Sequence, residues 1–184
     1  MAKTYIVGDI HGCYKELEEM LAIIQFSGDD KLFLVGDYID RGPDSVKVLE
    51  WLENRGDNVY PIKGNHDVEF QGYLEIMIAV DEQECLQTDL SSVEDSLALY
   101  ETTQYLLKRQ GKAAEAFFDV YGTVYDMLKN KNLSADRLLK WSEMISEFPY
   151  YYKVKVRGRE CVIVHAGYTE DKKLTEEEKK AFYL

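Results

Sequence analysis

Leu34-Val35-Gly36-Asp37-Tyr38-Ile39-Asp40-Arg41-Gly42-Pro43 joins an apolar run to a dense set of charged and turn-forming residues. The run from Leu32 to Val35 stops abruptly at Gly36-Asp37, and two more charged residues and two turn formers follow within six positions. Taken singly, the stretch reads as a strand entering a helix, with Asp40 as cap and Pro43 in the first turn. Two other stretches repeat the pattern. Gly8-Asp9-Ile10-His11-Gly12 follows an earlier apolar run, and Gly64-Asn65-His66-Asp67 follows a later one. Each places Asp, Asn or His just past a strand, which packing alone does not require.

Outward from these motifs the chain reads β-α-β-α-β. Thr4 to Val7 is a short buried strand, and Leu17, Met20, Leu21 and Ile24 have the i, i+3, i+4, i+7 spacing of an amphipathic helix. Lys31 to Val35 is the second strand. A helix from Pro43 turns Val48, Leu49 and Leu52 inward and ends at Asn54-Arg55-Gly56. Asn58 to Lys63 is the third strand. Such alternation predicts a parallel sheet with right-handed crossovers. Ligands of these sheets sit beyond the carboxyl ends of the strands, where all three motifs fall, so residues distant in sequence converge on one rim.

From about Glu69 the pattern becomes helical. Phe70, Leu74, Met77 and Ile78 form a stripe, Asp81 to Leu90 reads as an acidic loop, and Ser91-x-x-Glu94 is a capping box ahead of Leu97, Tyr100 and Leu107. Phe117, Tyr121, Val124 and Leu128 form a further stripe. Ser134 caps a helix carrying Leu138, Trp141, Ile145 and Phe148, which Pro149 stops. This aromatic-rich block interrupts an α/β pattern over about 69–148, so it is expected as a cap or lid inserted over the rim. Tyr150 to Val156 and Glu160 to Val164 then form a β-hairpin turning at Gly158. Its second strand delivers His165-Ala166-Gly167. Thr175-Glu176-Glu177-Glu178 opens a short helix in the charged tail.

The whole chain, 184 residues with 46% hydrophobic content, is expected as a single domain, 1–184, with a substantial core. The net charge is -12, and the ten acids between Lys63 and Lys108 are accompanied by no Lys or Arg. That balance argues against a nucleic-acid face or an anionic membrane surface. It leaves room for an anionic small substrate, because bound metal reverses the local field. No apolar run approaches membrane-spanning length and no secretory signal precedes the first strand. The three cysteines, Cys13, Cys85 and Cys161, lack metal-site spacing and read as free thiols of a reducing compartment, so a cytoplasmic location is expected.

The three histidines of the chain are His11, His66 and His165, and each follows a predicted strand in a Gly-flanked motif. Carboxylate, imidazole and one amide oxygen suit divalent transition metals such as Mn, Fe or Zn. Asp9 and His11 can reach one ion from a tight turn. Asp37, on the adjacent strand, can bridge two ions, and Asn65 and His165 would hold the second. Two ions about 3.5–4 Å apart clamp a phosphoryl group for in-line displacement and lower the pKa of a shared water.

GDIHG (8–12), GDYIDRG (36–42), GNHD (64–67) and HAG (165–167) together resemble the signature of the calcineurin-like metallophosphoesterases. They are most similar to serine/threonine protein phosphatases of bacterial and phage type, with symmetrical dinucleoside tetraphosphate hydrolases as close relatives. The resemblance covers about 1–67 and 150–168. It implies an α/β fold, a central β sandwich flanked by helices, with the helical block as a cap insertion. It implies Asp9, His11 and Asp37 as ligands of one metal and Asp37, Asn65 and His165 of another, with Mn as the expected ion and Fe or Zn as alternatives. His66 would protonate the leaving alkoxide, Asp40 would orient it, and Arg41 would grip the phosphoryl oxygens. The implied activity is hydrolysis of phosphomonoesters on a phosphorylated protein or small phosphoester. The alternatives are dinucleoside tetraphosphate hydrolysis and a catalytically weak binding module.

This chain departs from the pattern in three places. Asp67 stands where protein phosphatases carry Glu, which also resembles the tetraphosphatases, whereas Asp40 in the DRG triplet favours the protein phosphatases. Lys63, expected to bind substrate, stands where many of them carry Arg and lacks the bidentate fork. No histidine follows His165 and no arginine follows Arg159, so a further metal-binding His and phosphate-binding Arg are missing and the C-terminal part is expected to be short of the full family fold. An open sheet edge would follow, favouring association into an oligomer.

Overall fold

In the computed structural model, residues 2–72, 123, 135–169 and 174–184 are described. β1 (Thr4–Val7), β2 (Lys31–Leu34) and β3 (Val59–Pro61) form a parallel sheet in that order, with α1 (Tyr14–Ile23) and α2 (Ser45–Glu53) as the crossovers. The register places Ile6 beside Phe33 and Leu34 beside Pro61. β3 is shorter than the 58–63 run suggests, because the chain has to leave the sheet for the Gly64 turn. α2 begins at Ser45 rather than Pro43, with Asp44 as its N-cap. Residues 65–72 are helical (α3), so Asn65 and His66 occupy a first helical turn instead of a loop.

Alternation along β2 divides the molecule into layers. Leu32 and Leu34, fully buried, point into a cluster with Leu17 of α1, Val48, Leu49 and Leu52 of α2, and Phe70 of α3. Phe33 points the other way, stacking on Tyr60 with centroids 4.8 Å apart. Tyr152 meets both rings edge-on, at 5.6 and 5.8 Å. Tyr152 belongs to an antiparallel hairpin, β4 (Tyr151–Val156) and β5 (Arg159–Val164). Its Arg157-Gly158 turn has positive φ at both residues, the twist that tight hairpins favour. The hairpin thus covers one face of the parallel sheet, the sandwich expected. On the hairpin's far side Tyr151 and Tyr168 pack against Tyr183 of α5 (Glu176–Tyr183). Thr175 and Glu178 close a capping box at the start of that helix.

α4 (Ala135–Glu147) ends the predicted helical block, and it belongs to the core. Trp141, Met144, Ile145 and the following Phe148 join the cluster on the helix side of the sheet. Trp141 also donates to Glu53 at 3.2 Å and carries the Arg137 guanidinium over its ring. The stripes and capping box expected between 73 and 122 and at 124–134 lie outside the described residues. Among the described residues no helix is long and apolar enough to cross a membrane.

Trp141 is 1% exposed. Trp141→Ala should therefore lower the unfolding free energy by about 3–5 kcal/mol, seen as a lower urea midpoint at an unchanged slope.

Candidate active site

The three motifs meet at the carboxyl ends of β1, β2 and β3, and Asp37 is where they join. After β2 the chain turns through Gly36 and Asp37, both at positive φ. Gly36 has to be glycine: a Cβ there would collide with the backbone of Gly64, and one on Gly64 with the Asp37 carboxylate. The Asp37 carbonyl accepts the N–H groups of Ile10 and His11, each at 2.9 Å, and the Tyr38 carbonyl accepts that of Gly12. The Asp9 loop is thereby bound to the Asp37 loop through the backbone alone. Asp67 fastens the third motif. Its carboxylate accepts from the backbone N–H of Asp37 (2.8 Å), Tyr38 (3.0 Å) and Gly64 (2.8 Å). Asp67 also serves α3: it stands in the first turn and takes the Gly64 N–H, as the acid of a capping box does.

These bonds aim side chains inward. His11 Nδ1 lies 2.8 Å from the Ile39 carbonyl, and His165 Nδ1 lies 2.7 Å from that of Val35. A carbonyl only accepts, so both Nδ1 atoms carry the proton and both Nε2 lone pairs face the site. His11 Nε2 stands 3.7 Å from Asp37 Oδ2 and 3.9 Å from Asp9 Oδ2. It is buried with no hydrogen-bond partner among the described residues. His165 Nε2 stands 3.5 Å from the same Asp37 oxygen and 3.1 Å from Asn65 Oδ1. In the neutral rings these are lone pairs facing lone pairs, which repel one another unless a proton or a metal cation lies between them. Imidazole, carboxylate and amide oxygen are the donors that divalent transition metals take, and imidazoles oriented through Nδ1 by backbone carbonyls are the usual support. The residues present therefore fit a metal. Potential donor atoms gather in two sets, His11 with Asp37 and His66, and Asp9 with Asp37 and His165, each within 4.8 Å. Asp37 is common to both sets, which divide the residues differently from the expectation, with His66 beside His11 and Asp9 beside His165, and Asn65 joins through its contact with His165.

His66 and Asp40 form a separate buried pair beside this centre. His66 Nδ1 is 2.7 Å from Asp40 Oδ2, and the His66 ring meets His11 edge-on at 4.9 Å. The hydrogen bond to Asp40 raises the His66 pKa above the usual imidazole range, with burial opposing and the charges of Asp37 and Asp40 assisting. Arg41 Nη2 lies 3.1 Å from His66 Nε2. A guanidinium only donates, so Nε2 is the acceptor and Nδ1–H faces Asp40. Asp40 and Arg41 both have positive φ, a strained backbone that their surroundings have to hold. Lys63 is engaged elsewhere: its ammonium donates to the Ser146 carbonyl at 3.0 Å and lies over the Tyr150 ring.

Thr123 and Ser45, which touch Asp40, have no role in the motif reading, and neither has a sequence signal beyond being a hydroxyl residue. The backbone role of Asp67 is legible only in outline, as an acid three positions after a glycine that ends a strand.

The chain belongs to the calcineurin-like phosphoesterase family, whose model matches residues 2–181. Over 66 residues it is 47% identical to the symmetrical bis(5'-nucleosyl)-tetraphosphatase of Cronobacter sakazakii, a match spanning 35% of this chain and 23% of that protein. For the enzyme of the same name from Buchnera aphidicola the figures are 50% identity over 66 residues, 35% of this chain and 24% of the relative. The match thus spans about a quarter of the length of these curated relatives. Among solved structures, a serine/threonine phosphatase from Saccharomyces cerevisiae with similarity to human phosphatase PP5 aligns with 98% of this chain and 46% of its own, at 13% identity and TM-score 0.44. One described as a diadenosine tetraphosphatase aligns with 82% of this chain and 48% of its own, at 22% identity and TM-score 0.43.

Asp67 is fully buried, and burial pushes its carboxyl up to about 7 against the pull of its backbone donors, with Asp37 adding to the rise. A raised acid pKa gives stability that is complete below the ordinary value of 3.8 and is lost as pH climbs through about 7. Urea unfolding of the metal-free protein should therefore show stability falling from about pH 4 to 7, and less so in Asp67→Asn. That variant sets an amide NH₂ against a backbone N–H and should itself cost about 1–3 kcal/mol.

Proposed function

We propose that this chain forms the catalytic centre of a two-metal phosphoesterase that hydrolyses phosphomonoesters, with phosphoserine or phosphothreonine of proteins as the leading substrate class. The observation that carries the reading is the orphaned Nε2 of His11 facing the shared Asp37 oxygen, with His165 Nε2 on that oxygen's other side. In this reading Asp9, His11 and Asp37 hold one divalent ion and Asp37, Asn65 and His165 the other, Mn first, with Fe or Zn as alternatives. Bound there, the ions supply positive charge at the phosphoryl oxygens and lower the pKa of the attacking water.

The remaining steps fall to this chain's own side chains. Arg41 leaves His66 Nε2 to grip the phosphoryl oxygens through its fork of donors. That frees Nε2 to carry a proton and deliver it to the departing alkoxide, while Asp40 steadies the imidazolium through Nδ1. Lys63 takes part only as a secondary substrate contact, since reaching a phosphate means leaving the Ser146 carbonyl and the Tyr150 ring. The domain in this proposal is 1–184, with the insertion at about 69–148 reaching the site, in the cytoplasm. Among the described residues β1 pairs with β2 alone, and self-association would add a strand at its other edge.

A second reading, hydrolysis of dinucleoside tetraphosphates, is favoured by the names of the relatives of 47% and 50% identity. The buried Asp40–His66 pair supports the first reading. A nucleotide phosphate leaves as a stable anion and gains little from an acid, whereas a serine or threonine alkoxide needs one. Turnover of a phosphoserine peptide, p-nitrophenyl phosphate and diadenosine tetraphosphate in excess manganese, with metal counted by mass spectrometry, decides between them. Exclusive turnover of the dinucleotide would overturn the first reading, and absence of bound metal would overturn both.

Asp37→Asn should abolish both metal occupancy and turnover, because one carboxylate serves both ions; two retained ions with a normal rate would remove its bridging role. His66→Asn should keep the metals and lower kcat by roughly 10²–10⁴-fold on alkyl phosphates, and far less on p-nitrophenyl phosphate. In the metal-free protein the hydrogen bond to Asp40 holds the His66 pKa above the ordinary 6.5, and Asp40→Asn should move it down in an NMR titration of the imidazole.

A further inference from the structure

We propose that Thr123 is a positioning residue for the proton donor, acting on His66 through Asp40. The inference rests on the reading of His66 as the general acid. Thr123 stands 83 positions from Asp40 in sequence, inside the block expected as an insertion, and is fully buried. Its Oγ1 accepts the Asp40 backbone N–H at 2.9 Å and donates to Asp40 Oδ1 in a short hydrogen bond. Ser45 Oγ, also fully buried, lies 3.0 Å from Thr123 Oγ1 and 3.1 Å from the Asp40 N–H.

A carboxylate with one oxygen on an imidazole can still rotate about its own bond. Thr123 removes that freedom: Oδ1 is fixed by its hydroxyl while Oδ2 faces His66 Nδ1 at 2.7 Å. The same hydroxyl holds the Asp40 backbone N–H, at a residue whose φ is 68°. Thr123 therefore fixes the carboxylate plane, and shares with Ser45 the hold on the strained backbone, that set the imidazole's direction. Neither group is a metal ligand in the proposed scheme, so the effect falls on proton delivery and leaves metal binding alone.

The test compares Thr123→Val, which keeps the shape and loses both hydrogen bonds, with Thr123→Ser, which keeps the hydroxyl. Thr123→Val should lower kcat on an alkyl phosphate by about tenfold, a part of the roughly 10²–10⁴ that a general acid supplies. On p-nitrophenyl phosphate the loss should be at most about twofold, with metal content unchanged. Thr123→Ser should stay near wild type on both, and Thr123→Val should add nothing in a His66→Asn background. Independently of turnover, the downfield proton resonance of His66 Nδ1–H in the metal-free protein, assigned by its loss in His66→Asn, should shift or broaden in Thr123→Val and persist in Thr123→Ser. Should the valine variant not fold, Thr123→Ala replaces it in every arm. Equal loss on both substrates, no rescue by serine, or an unmoved resonance in the hydroxyl-free variant overturns the proposal. If His66→Asn itself shows no dependence on the leaving group, the acid assignment fails and this inference falls with it. A steep His66→Asn effect beside a flat Thr123→Val effect removes Thr123 alone.

Discussion

Three backbone N–H groups converge on the buried carboxylate of Asp67, and the site depends on that convergence. They come from the loop after β2 and the turn after β3, which local structure does not hold together. Without an acceptor, three buried donors would each forfeit a hydrogen bond in a region water does not reach. The carboxylate satisfies all of them and ties α3 to Asp37. Because Asp37 in turn receives Ile10 and His11 through its carbonyl, one acid holds all three motifs at fixed distances. The spacing of these donor groups is then set by the backbone.

Four of the six described non-glycine residues at positive φ lie in the same region. His11, Asp37, Asp40 and Arg41 all have positive φ without being glycine. Each lies in a loop over-determined by backbone bonds or by a buried side chain, which is how such conformations persist and why they gather at functional sites. The strain points side chains back over the strand ends instead of along the chain.

Two described parts of the block expected as a lid reach the core and the buried Asp40. α4 supplies Trp141 and Ile145 to the same cluster as β2, the following Phe148 joins them, and the Thr123 hydroxyl hydrogen-bonds Asp40. Here the residues that complete the Asp40–His66 pair and those that seal the sheet come from one excursion of the chain.

Much was legible from sequence because the informative features are local. Parallel strands show as short apolar runs, and each run ends in a Gly-flanked polar motif, so the convergence of Asp9, His11, Asp37, Asn65 and His66 follows from strand direction, whereas His165 arrives from the second sheet through packing. Hairpin and α5 cap were equally legible, since Gly158 and the Thr175–Glu178 pair act over a few residues. The contacts of Lys63 were not: sequence gives its charge, and only packing gives its ammonium on the Ser146 carbonyl and over the Tyr150 ring. Thr123 was invisible for the same reason, a hydroxyl in an apolar stripe whose partner lies 83 positions away. Sequence determined which groups stand at the ends of strands, because strand period and turn chemistry are encoded over a handful of residues. Tertiary structure alone decided which buried donors meet which acceptors, because those pairings depend on how distant segments close around one another.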